Sequence, residues 1–112
     1  MASIDRIKLG YFRILEYHGD YDSFEVFYND NKSEIYESIV AIFESFKTSP
    51  KNVLTINIRT TINSMFWDTD ISFTRDQYFV LKRDILPYFE EEGDYEICNR
   101  IMKVHNELIS SR

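Results

Sequence analysis

Val53-Leu54-Thr55-Ile56-Asn57-Ile58-Arg59-Thr60 is the stretch on which the fold turns. Leu54, Ile56 and Ile58 alternate with Thr55, Asn57 and Arg59. Strand side chains point alternately to opposite faces, so this spacing buries one face and wets the other. The β-branched residues, stiff at χ1, suit a pleated surface better than a helix. Upstream the period changes. Ile35, Ile39, Ile42, Phe43 and Phe46 recur at i, i+4, i+7, i+8 and i+11, which predicts a helix over 33–47. Glu34, Glu37 and Glu44 fall on its other faces. Asn31 with Glu34 reads as a variant capping box, and Thr48-Ser49-Pro50 is a stop.

Further out, Phe24-Glu25-Val26-Phe27-Tyr28 alternates like a strand and ends at Asn29-Asp30-Asn31. Two strands flanking the best helix predict a βαβ-like unit over residues 23–60. Residues 11–17 pair with 23–28 as a hairpin through His18-Gly19-Asp20-Tyr21-Asp22 in one reading. In the other, Ile4, Ile7, Tyr11, Ile14 and His18 form one face of a helix capped by Ser3.

The C-terminal third reads as a helical hairpin. Thr74 with Gln77 has capping-box spacing, and Phe73 against Tyr78 suits a hydrophobic staple. Tyr78, Leu81, Ile85, Tyr88 and Phe89 share a face, and Pro87 should kink or split the helix near Leu86. Gly93-Asp94 makes the turn. Ile97, Ile101, Val104 and Leu108 line a last helix. The expected fold is therefore α+β: a small sheet with one covering helix, then an antiparallel helical hairpin, in one domain over residues 1–112. The alternative is an all-α bundle with residues 4–17 and 50–66 helical. It would place many β-branched residues in helices, at a cost in propensity.

Composition narrows the function. The 112 residues carry 13 basic and 19 acidic side chains, a net charge of −6, with a pI near 4.8. No concentrated basic footprint is present, so nucleic acid is not an expected partner. The longest apolar run, Ile39-Val40-Ala41-Ile42-Phe43, is far short of a membrane span, and the N-terminal residues have no signal-peptide core. A single cysteine, Cys98, precludes an internal disulfide and suits a reduced, cytoplasmic chain.

Chemistry-bearing groups are sparse. His18 beside Asp20 and Asp22 could act as a base or bind a metal, and Asp68-Thr69-Asp70 has a metal–diphosphate spacing. A polar turn is the ordinary reading of each. Cys98 and His105 share a helix face, but two turns separate them. Gly-rich phosphate loops and serine-nucleophile patterns are absent, so no cofactor is expected. Glu90-Glu91-Glu92 with Asp94 forms an acidic tip that either solubilises the hairpin or docks a basic partner.

Met65-Phe66-Trp67-Asp68-Thr69-Asp70-Ile71-Ser72-Phe73 is the most informative connector. It crowds large apolar residues together without a clean period. Core burial is the usual fate of such residues. On a surface, Met, Phe and Trp anchor interfaces. The expectation for function is a small protein-binding or regulatory protein without catalysis, such as an adaptor, inhibitor or accessory subunit. Its candidate contact residues are Met65, Phe66, Trp67 and Phe73, with Glu90, Glu91, Glu92 and Asp94. A homo-oligomer using the same aromatics is one alternative. A small metal-dependent enzyme using His18/Asp20/Asp22 or Asp68/Asp70 is the other.

Overall fold

The computed structural model describes residues 10–110. Its elements run β1 (Arg13–Tyr21), α1 (Phe24–Phe46), β2 (Val53–Ile62), β3 (Met65–Thr74), a 3-10 turn (Arg75–Tyr78), a π turn (Leu81–Ile85), α2 (Leu86–Glu92) and α3 (Tyr95–Ser110). The fold is α+β with a three-stranded mixed sheet in the order β1-β2-β3. The strand over residues 53–62 excludes the all-α alternative. The chain divides into two compact units. One holds residues up to Lys32 and Leu54–Ser72, and the other holds Ser33–Val53 and Phe73 onward. The α1 helix runs through both.

In the first unit, β1 pairs with β2 in parallel, Leu15 opposite Ile58 and Glu16 opposite Arg59. Parallel neighbours need a crossover connection, and α1 supplies it. The βαβ arrangement is thus present, but its first strand is β1. Residues 24–28, expected as a strand, begin α1 instead. Ser23 caps them: its Oγ accepts from Val26 N at 3.2 Å and its carbonyl from Phe27 N at 3.1 Å. The alternation in 24–28 was coincidental, because Phe24 and Val26 are exposed and Phe27 alone is buried. Phe27 meets Tyr17 and Tyr21 edge-on, each with centroids 5.1 Å apart. Asn31 lies inside the helix, donating to Phe27 O at 2.9 Å and Tyr21 Oη at 3.2 Å. That bonding overrides its usual turn preference. The hairpin between residues 11–17 and 23–28 does not form. Ser3, Ile4, Ile7 and the rest of the alternative N-terminal helix up to residue 9 lie outside the described residues.

The register slips in β1. That strand advances from Glu16 to Asp20 while β2 advances only from Arg59 to Thr61. The extra residues form a bulge around Gly19, whose φ of +118° suits glycine. A two-residue turn, Asn63-Ser64, joins β2 to β3. Both residues have positive φ, 50° and 64°, as the strand-matching hairpin turn requires. Asp20 steadies it, its carboxylate accepting from Ser64 N at 2.9 Å and Ser64 Oγ at 3.1 Å. Leu54, Ile56 and Ile58 are buried along one face of β2, as their spacing predicts, and Ile62 continues that face.

In the second unit, Ile35, Ile39, Ile42, Phe43 and Phe46 are all buried along α1. Each such side chain contributes about 1.5–3 kcal/mol. The helix ends at Phe46, where Arg75 takes over the loose carbonyls. Its guanidinium donates to Phe46 O and to Ser49 O, the latter at 3.0 Å. Thr74 N donates to Gln77 Oε1 at 2.8 Å, the reciprocal half of the expected capping box. Pro87 does interrupt the helix. It lacks an N–H and clashes one turn back, so the preceding turn widens. Leu86 N accordingly reaches Leu81 O, five residues away. The turn at Gly93 follows helix-ending chemistry. Gly93 is left-handed, Asp94 N donates to Phe89 O at 3.0 Å, and Asp94 Oδ1 then caps α3 through Ile97 N at 3.2 Å. Leu81, Ile85 and Phe89 are buried, as are Ile101, Val104 and Leu108 of α3. Arg100 ties α3 to α1, gripping Glu44 with two nitrogens (2.7 and 3.0 Å) and Glu37 at 3.1 Å.

Candidate interaction surface

The stretch Met65–Phe73, read from the sequence as a connector that either plugs the core or offers a contact surface, is part of a strand. β3 occupies the end of the sheet, with β2 as its neighbour among the described residues. Its first six residues are all exposed. Met65 is 66% exposed, Phe66 61% and Trp67 48%. Three large apolar side chains are therefore wet in a row, contrary to the usual fate of such residues. Phe73 differs from them. It is half-buried and meets Phe43 edge-on in the second unit, at 5.5 Å.

The other face of β3 carries Phe66, Asp68, Asp70 and Ser72, which meet the outward face of β2. Thr55 Oγ1 and Ser72 Oγ lie 2.8 Å apart. Asn57 is fully buried, although its position in the alternation is a polar, outward one. Two carboxylates account for this. Asn57 Nδ2 donates to Asp68 Oδ1 at 2.5 Å and to Asp70 Oδ1 at 2.7 Å. Its Oδ1 has no partner among the described residues. Tyr11 Oη donates to Asp70 Oδ2 at 2.9 Å, so both of these partners of Asp70 are neutral donors. Arg59 lies 3.5 Å from Glu16 and 4.0 Å from Asp68, with its guanidinium 5.6 Å from the centre of the Phe66 ring.

The Asp68/Asp70 pair thus converges, but on an amide. Asp20 is spent on the hairpin turn, and His18 is exposed in the bulge. Among the described residues, no three of His, Cys, Asp and Glu are grouped to hold a metal ion. Cys98 and His105 are both buried on α3. Burial first, and then the Glu90 and Asp94 carboxylates, push the Cys98 thiol up. It stays protonated and a poor nucleophile at neutral pH.

At the acidic tip, Glu90, Glu91 and Glu92 are exposed on the last turn of α2. Asp94 has a structural job there as the cap of α3. The site residues missed at the sequence level are Tyr11, Asn57 and Arg59. Asn63-Ser64 between two β-rich runs was the available signal. Read as a two-residue hairpin, it sets Asn57 opposite Asp70 and Arg59 opposite Asp68.

No described helix is long and apolar enough to cross a membrane. Comparison with protein-family models, curated proteins and solved structures finds no match to this chain.

Proposed function

We propose that the chain is a non-catalytic binding module that contacts another protein in the cytoplasm through β3. The observation that carries this reading is the exposure of three consecutive large apolar residues, Met65 and Trp67 on one face and Phe66 on the other, on a strand at the end of the described sheet. Aromatic and Met side chains supply the anchors of protein interfaces, and exposing them without a partner costs solubility. The acidic tip at Glu90, Glu91 and Glu92 is the second candidate surface, suited to steering a basic partner.

The test is affinity capture from the native host, with a Phe66→Ser/Trp67→Ser bait whose fold is verified by circular dichroism. A stoichiometric partner held by the natural chain and lost with the folded variant is the expected result. Retention of that partner by the variant would move the contact away from β3. Capture of nothing but further copies of the chain would replace the reading with self-association.

A further inference from the structure

We propose that β3 takes up an extended segment of its partner as a fourth strand, and that this segment is basic, with Lys or Arg at alternate positions. The proposal rests on the protein-binding reading above and adds the mode of docking and the chemistry of the occupant.

A sheet edge leaves half of its backbone N–H and C=O groups unpaired, a template for another strand. Proteins usually blunt such edges with bulges, prolines or charged side chains, lysine above all. The β1 edge is blunted in this way by the register slip at Gly19. β3 is an unbroken strand, Met65–Thr74, without Gly, Pro or Lys, and the charges it carries are both acidic.

What β3 does carry is Asp68 and Asp70, two residues apart on one face. Directly opposite residues of an antiparallel pair lie about 4.5–5.5 Å apart on the same face. A second copy pairing antiparallel about Thr69 would set each Asp68 against the other copy's Asp70. Centring on Asp68 or on Asp70 sets that residue against itself. Every central register of self-pairing therefore juxtaposes like charges, which is destabilising. A strand with Lys or Arg opposite Asp68 and Asp70 turns the same two positions into attraction. Asp70 has charge to offer, because Tyr11 and Asn57 are neutral donors and leave acceptor sites on its carboxylate. The incoming residue between the two cations lies on the other face, opposite Thr69. Its diagonal neighbours are Trp67 and Ile71, which favours an apolar, β-branched side chain there. The pattern recognised is basic–apolar–basic.

The test titrates the isotope-labelled full chain with an end-capped peptide, Thr-Lys-Val-Lys-Val-Thr, and with its Glu-for-Lys counterpart, following backbone amides by NMR. The Lys peptide should shift amides along Phe66–Ser72 and give backbone cross-strand contacts to that stretch, while the Glu peptide does not bind. Asp68→Asn/Asp70→Asn keeps oxygens facing Asn57 and should weaken the Lys peptide about tenfold. Equal binding of both peptides, binding confined to Glu90–Asp94, or no binding at millimolar peptide would overturn the proposal. If the peptide fails while the captured partner still depends on Phe66 and Trp67, the binding module stands and strand addition falls. A concentration-dependent dimer mediated by β3 in sedimentation would put a second copy in place of the basic segment.

Discussion

His105 is buried on α3, 5.2 Å from the Tyr78 ring and edge-on to it, with Nδ1 unpartnered among the described residues. Burial first, and then the Lys82 charge, lower its proton affinity below that of a free imidazole. In the unfolded chain the ring protonates near about pH 6.5, whereas in the folded protein it resists until a lower pH. Between those points the unfolded state holds more protons, so stability is lost as pH falls and is fully present above the unfolded value. Melting the natural chain and His105→Gln from about pH 7.5 downward should show a steeper acid loss in the natural chain. Parallel curves would mean that other groups set the acid limit. Gly93 gives a second expectation at this scale. With φ at 75°, Gly93→Ala forces a β-carbon into left-handed backbone and should cost about 1 kcal/mol in urea unfolding.

Helix α1 shows how a local signal and its surroundings divide the work within one element. Its apolar spacing from Ile35 to Phe46 was legible because period alone encodes a buried helical face. Its true beginning was not, because Phe24-Glu25-Val26-Phe27-Tyr28 fits both periods over so short a window. The Ser23 cap and the single buried ring of Phe27 decide the matter. Ser23→Ala is expected to cost about 1 kcal/mol and to fray the first turn, seen as faster amide exchange at Val26 and Phe27. Arg100 makes a different kind of contribution. Its two-nitrogen grip on Glu44 is about one-third exposed, so screening trims its worth to about 1 kcal/mol. A double-mutant cycle of Arg100→Ala with Glu44→Ala should return that coupling and show it shrinking in molar salt. Zero coupling would leave Glu37 as the effective partner.

At the scale of the whole molecule, the wet aromatic run on β3 makes two behaviours measurable before any partner is known. Trp67 is the single tryptophan, so native fluorescence should be quenched by acrylamide nearly as well as a free indole. A blue-shifted, protected emission would put Trp67 in a core and remove the main support for a contact surface. Phe66→Ser/Trp67→Ser should shift global stability by no more than about 0.5 kcal/mol, since exposed side chains contribute little packing. The same pair of changes should raise the concentration at which the protein stays in solution.

Much of this architecture is carried by short-range pattern. The period-two run at β2, the helical face from Ile35 to Phe46, the Gly93-Asp94 turn and the last helix are local facts. Each follows from where apolar side chains recur and which residues tolerate a turn. The tertiary structure alone decided that β1 joins β2 in parallel across α1, and that β3 is the last strand of the described sheet, with Phe66 and Trp67 in water. It also decided that Asn57 is buried against Asp68 and Asp70. Strand pairing is a choice among distant segments, and periodicity gives a side chain's face without saying whether anything covers it.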